Sequence, residues 1–174
     1  MELAVLVLLS ATVAGYHDFR RHRVPNWLTG LTVVVSLAWH GWAGGTAGLW
    51  SSAKGLCLAV SLLLPLYLLR GMGAGDVKYF GALGSALAPG HVLPLLTLSL
   101  AVGGTMALWR VARQRVARET ARNIADMAGR LLRGRVGAHP VVHIDNPQAQ
   151  VVPFTFAQAV ATWILVASRW GAFA

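Results

Sequence analysis

Two aspartates, Asp18 and Asp76, are the residues of this sequence best suited to acid–base chemistry. The chain has only six acidic residues, and the others are Glu2, Glu119, Asp126 and Asp145. Glu2 is terminal and the other three lie in a polar segment, which leaves Asp18 and Asp76 as the only carboxylates that border apolar segments on the predicted cytoplasmic side. Two carboxyl groups that approach closely repel each other when both are ionised, so such a pair would hold one proton. The ionised member could activate a water molecule and the protonated member could hydrogen-bond a carbonyl oxygen, which is chemistry suited to peptide hydrolysis.

Each aspartate also has a simpler interpretation. Asp18 could cap a helix or form an ion pair with Arg20 or Arg21, and Asp76 could form an ion pair with Lys78. Ionisable groups at a membrane boundary are nevertheless costly, and they are functional candidates for that reason. Both interpretations therefore stay open at the level of single residues.

Asp76 follows a segment with three glycines at alternate positions, Gly71-Met72-Gly73-Ala74-Gly75. Such spacing permits unusual backbone angles and lets another chain approach closely, so we predict that Gly73 and Gly75 shape a substrate-binding loop. Lys78 could tune the charge of Asp76. A simple hinge is the alternative, and no strand precedes the glycines as a phosphate-binding loop would require.

Pro25 and Asn26 follow the basic stretch after Asp18. Proline interrupts a continuous helix, and asparagine is a favourable helix cap. We therefore predict that Pro25 separates two helices and that Asn26 caps the second of them. Both residues, like Lys78, are also predicted to bind substrate or to shape its loop.

The elements that must position these residues lie in a membrane. The chain is 56% hydrophobic and 12% charged, with a mean hydropathy of +0.58. Such values predict an all-α, polytopic membrane protein with a single domain over residues 1–174. About six transmembrane helices are expected, over residues 3–16, 27–42, 56–69, 77–87, 92–109 and 154–170.

The depth of the two aspartates follows from the lengths of these segments. The first segment is too short as a helix to cross a hydrocarbon core of roughly 30 Å, so its helix should continue through Asp18. The fourth segment is shorter still, which draws Asp76 to the boundary on the same side. Lysine and arginine concentrate in the first, third and fifth loops, which predicts that these loops are cytoplasmic and both termini non-cytoplasmic.

The fifth loop, at about 110–152, is the most basic segment. It is either a basic helix lying on an anionic leaflet or an orientation signal with an irregular tail. Arginines that flank apolar segments account for the net charge of +9, so we predict no nucleic-acid partner. His139 and His143 are separated by Pro140 and lack a third ligand, and Cys57 is the single cysteine, so we expect no metal and no cofactor.

Two motifs resemble those of the type IV prepilin peptidases. The segment 73–78 is similar to their Gly-x-Gly-Asp-x-Lys signature, and Asp18 with Val24-Pro25-Asn26 is similar to their first motif. The segment 152–154 also resembles the start of their last helix. The resemblance implies an aspartic endopeptidase of the bacterial inner membrane, with Asp18 and Asp76 as a catalytic pair. It would cleave the basic leader of prepilins at the cytoplasmic face.

Larger members of that family carry a cysteine-rich cytoplasmic domain and methylate the new N-terminus. About 17 residues precede Asp18 here, so the chain is similar to the small tight-adherence (Flp-type) peptidases and we expect no methyltransferase activity. The predicted partners are a prepilin and the lipid bilayer, and no oligomeric state is predicted. The alternatives are a proton-coupled transporter and a non-catalytic pilus assembly factor.

Overall fold

The computed structural model describes residues 2–21, 23–69, 71–114 and 153–168, together with 118, 120–122, 125–126 and 129. The described part of the chain is helical and contains no strand, which confirms the predicted all-α class. The helices are α1 (Glu2–Arg21), α2 (Asn26–Leu68), α3 (Ala74–Leu87), α4 (Pro89–Gln114) and α5 (Phe154–Ser168).

Three of these helices, α1, α2 and α4, are long and apolar enough to cross a membrane, and α5 is apolar but shorter. Helix α1 continues past Asp18 to Arg21, as the short first segment predicted. The number of spans and the side on which the termini lie stay predictions. Most of the predicted loop at 110–152 lies outside the described residues, as do His139 and His143; its first residues, 110–114, continue α4.

Helix α2 is a hairpin of two antiparallel limbs, residues 26–44 and 46–68. The limbs meet at Gly45, whose angles of φ 57° and ψ −145° are favourable only for glycine. His40 of the first limb and Ser52 of the second both hydrogen-bond the last turns of α3, at Ala86 and Ser85 respectively. The second limb therefore begins ten residues before the predicted segment 56–69. One glycine is enough to reverse the chain, and helical hydrogen bonds on both sides of it satisfy the backbone.

Helix α3 is the central element, and its backbone packs directly against the backbone of the second limb of α2. Its buried residues are Val77, Tyr79, Phe80, Gly81, Ala82, Leu83, Gly84, Ser85, Ala86 and Leu87. A Cβ atom on Gly84 would lie 2.5 Å from the carbonyl oxygen of Gly55 and 2.6 Å from Cβ of Ala59. Small residues thus allow the two backbones to touch, as in other closely packed membrane helices. Helix α3 ends at its C-cap Ala88, which has a φ of 61°, and Pro89 begins α4.

Helix α5 packs against both α1 and α4. A Cβ atom on Gly15 of α1 would lie 2.8 Å from Cβ of Ala159, and one on Gly103 of α4 would lie 3.3 Å from the ring of Phe154. The start of α5 is therefore held between the ends of two other helices.

Candidate active site

The first turn of α5 binds both of the predicted catalytic aspartates. The backbone N–H of Phe156 donates a hydrogen bond to Oδ2 of Asp18 at 3.1 Å. The hydroxyl of Thr155 donates one to Oδ1 of Asp76 at 2.7 Å. Because the two donors belong to consecutive residues, the carboxyl groups lie at the same helix end, within electrostatic range of each other. The structure thus brings together the two residues that the sequence predicted to meet.

Asp18 lies on the buried face of α1 and is only 5% exposed. That face repeats at helical spacing through Ala11, Ala14 and Gly15, which are also buried. The start of α5 has Pro153 in front of it, and a proline side chain has no oxygen with which to cap a helix. Asp18 supplies an acceptor for the first turn of α5 from another helix.

Asp76 occupies the first turn of α3, where the helix dipole favours negative charge. Its carboxyl group accepts the Thr155 hydroxyl bond, and its backbone oxygen accepts a bond of 3.1 Å from Nε2 of Gln158. Lys78, its predicted ion-pair partner, is exposed. The backbone N–H of Gly73, the N-cap of α3, also hydrogen-bonds the Asp76 carboxyl group, so contacts from α3 and α5 together fix Asp76.

Three further contacts hold α1 against α5 around this site. The ring of Phe19 lies 5.4 Å from that of Phe156, centroid to centroid. One turn earlier in α1, Gly15 allows Ala159 to approach the backbone. Trp163 donates a hydrogen bond of 3.0 Å to the hydroxyl of Thr12. These contacts fix the distance between Asp18 and the amide that it binds.

The glycine segment takes a more ordinary form than the sequence predicted. Gly73 is the N-cap of α3 with φ −73° and ψ 147°, and Gly75 lies in its first turn. Among the described glycines only Gly45 has a positive φ, so this segment does not use the left-handed backbone angles that its glycines permit. A Cβ atom on Gly75 would lie 3.8 Å from Val24, an ordinary contact that joins the two motifs.

Pro25 and Asn26 lie at the start of α2. Pro25 occupies the N-cap position with φ −63° and ψ 128°, and its carbonyl oxygen accepts a bond from the N–H of Leu28. Asn26 is the first helical residue and is exposed, so the prediction that it caps the helix was wrong. Proline already supplies the extended backbone that a cap position requires.

Sequence reasoning missed Thr155 and Gln158. Both are fully buried, although they lie on a helix that is otherwise apolar. With Thr162 they form a buried polar stripe at helical spacing, and that pattern is the signal that could have identified them. Oε1 of Gln158 has no hydrogen-bond partner among the described residues, which leaves a buried acceptor beside the backbone of Asp76. The part of the chain that the structure describes contains no group of three or more metal-ligating residues.

Comparison with known proteins identifies the segment that carries both aspartates. A sequence model of the type IV leader peptidase family matches residues 5–108, more than half of the chain, from α1 into α4. Searches among curated proteins and among solved structures gave no significant match. Helix α5, whose first turn binds both carboxyl groups, lies beyond the matched segment. By the extent of the match, the protein belongs to the type IV leader peptidase family.

Proposed function

We propose that this protein is a membrane aspartic endopeptidase that removes the basic leader of Flp-type prepilins at the cytoplasmic face. Asp18 and Asp76 form its catalytic pair. The observation that carries the proposal is the binding of both carboxyl groups by consecutive residues at the start of α5. Membership of the leader peptidase family supports the class of substrate.

The reaction needs one proton on the pair. Two carboxylates at one helix end repel each other, so the state with a single proton is favoured over the doubly ionised state. The ionised carboxylate accepts a proton from a water molecule as that water attacks the scissile carbonyl carbon. The protonated carboxyl group donates a hydrogen bond to the carbonyl oxygen, where negative charge develops. The proton then passes to the leaving amine as the C–N bond breaks.

The start of α5 holds the two carboxyl groups in position. Thr155 orients Asp76 through its hydroxyl, and the N–H of Phe156 orients Asp18. Gln158 fixes the backbone of Asp76. Rigid placement of reacting groups avoids reorganisation during the reaction, which is a large part of catalysis.

Charge supports the cytoplasmic side. Arg20 and Arg21 end α1 just after Asp18, and Arg110 and Arg113 lie in the last turns of α4. Phe19 and both of these α4 arginines line one cavity, so the two basic ends lie together. Arginine and lysine favour the cytoplasmic side of a membrane, and the pair lies at that end.

The proposal is tested by following leader removal by mass spectrometry when a Flp-type prepilin is co-expressed with the protein. We expect Asp18→Asn and Asp76→Asn each to abolish cleavage while membrane insertion is unchanged, because an amide cannot exchange the proton. Glu2→Gln is the matched control, since Glu2 is an exposed acid at the other end of α1, and it should cleave as wild type does. Cleavage by either aspartate variant would reject the pair. A wild type that does not cleave would favour a non-catalytic assembly factor or a transporter.

A further inference from the structure

The cavity between the ends of α1 and α4 opens at the same end of the molecule as the two aspartates. It has a volume of about 450 Å³, within the roughly 300–1,000 Å³ typical of ligand sites. Its lining residues come from the end of α1, the end of α4 and the residue before α5. They are Phe19, Met106, Trp109, Arg110, Arg113, Gln114 and Pro153.

The lining of this cavity combines basic and apolar residues. Arg110 and Arg113 give it two positive charges, and none of the seven lining residues is acidic. The guanidinium carbon of Arg113 lies 5.2 Å from the ring centroid of Trp109, a cation–π contact that restrains the side chain. The N–H donors of a guanidinium lie in its own plane, where they match the oxygens of a phosphate. The cavity therefore favours a phosphate with an apolar group attached.

The position of the cavity along the helices indicates the source of that phosphate. Helix α4 is apolar until Trp109, and its basic residues follow at once. Trp109 is 64% exposed, as tryptophans at the level of lipid headgroups are. Basic pockets between helices at that level bind the headgroups of anionic lipids. Phe19 and Met106 lie beside the arginines, where the first carbons of the acyl chains would pack.

We propose that this cavity binds the phosphate of an anionic phospholipid of the phosphatidylglycerol type. The lipid would contact the ends of α1 and α4 and the residue before α5, because all three contribute to the lining. Phe19 follows Asp18 in α1, and Pro153 precedes the turn that binds both carboxyl groups. A bound lipid would therefore brace α1, α4 and α5 around the catalytic pair. The proposal does not depend on the peptidase activity, because lipid binding can be measured without any substrate.

The test is native mass spectrometry of the full chain in mild detergent, with equal amounts of phosphatidylglycerol and phosphatidylcholine carrying the same acyl chains. We expect the wild type to retain phosphatidylglycerol in preference. Each arginine near a phosphate contributes about 1 kcal/mol, which corresponds to roughly a fivefold change in retention for Arg113→Gln. Arg110→Gln should give a similar loss, and it serves if Arg113→Gln fails to fold as judged by circular dichroism.

Arg21→Gln is the matched control, because Arg21 is an exposed arginine at the same end of the molecule that does not line the cavity. It should retain the lipid as wild type does. An equal loss in this control would show that the preference comes from diffuse surface charge, and would overturn the proposal. A wild type with no preference for phosphatidylglycerol would also overturn it. Displacement of the lipid by millimolar inorganic phosphate would assign the cavity to a free anion, against the proposal.

Discussion

Replacing Thr155 with valine removes one hydrogen bond from the proposed catalytic pair and leaves the shape of the site nearly unchanged. The hydroxyl of Thr155 donates to Oδ1 of Asp76 at 2.7 Å, and the side chain is fully buried. A hydrogen bond to a charged group contributes about 1.5–3 kcal/mol, which corresponds to roughly a 10- to 150-fold loss of cleavage rate. We expect the loss in kcat rather than KM, because the bond positions Asp76 and does not hold the substrate.

The assay is cleavage of a purified prepilin by the protein reconstituted in lipid, with kcat and KM measured separately. Thr155→Ser keeps the hydroxyl and should stay within several-fold of the wild-type rate. Thr162→Val is the matched control, because Thr162 is a fully buried threonine of the same helix whose hydroxyl donates to the backbone oxygen of Gln158 and, among the described residues, to neither aspartate. A wild-type rate for Thr155→Val, or an equal loss in Thr162→Val, would refute the positioning role.

Further predictions concern proton sharing and helix packing. Cleavage by the wild type should fall at both low and high pH, because the pair must hold one proton, and a rate that only rises with pH would contradict this. Gly15→Ala should lower the cleavage rate, because its Cβ would lie 2.8 Å from that of Ala159 and push α5 away from Asp18. Gly84→Ala should lower the thermal unfolding temperature by overpacking, at a cost of about 1–3 kcal/mol. Gly45→Ala should cost a similar amount, because alanine is strained at φ 57°. Gly30→Ala is the control for all three, since a Cβ there meets nothing within 4 Å, and equal effects in this control would contradict the packing argument.

The start of α5 supplies hydrogen bonds to both aspartates, although it lies outside the two motifs that contain them. The family match ends at residue 108, yet Thr155 and Phe156 bind the two carboxyl groups. Five residues had been predicted to bind substrate or to shape its loop: Gly73, Gly75, Lys78, Pro25 and Asn26. Gly73 has ordinary N-cap angles and contacts Asp76 through its backbone, and the other polar contacts to the two carboxyl groups come from α5. A site built from three helices can be disturbed from any of them, which is why Gly15 and Thr155 are useful positions for mutation.

Several properties could be predicted from sequence because they depend on composition and local spacing. Scarcity of charge predicted a helical membrane protein, and the shortness of the first apolar segment predicted a helix that continues past Asp18. With only six acidic residues in the chain, Asp18 and Asp76 were readily selected. The predicted start of the second limb of α2 lies too far along the sequence, because the glycines at 44 and 45 indicate a turn without showing how few residues that turn needs.

Only the tertiary structure decided how the two aspartates are held. Asp18 and Phe156 are 138 residues apart in sequence, and Asp76 and Thr155 are 79 apart. No local sequence pattern predicts which helix end contacts which carboxyl group, because that contact depends on the packing of α5 between α1 and α4. Spacing along the chain could identify the acids, whereas their partners followed from small residues that let these helices approach closely.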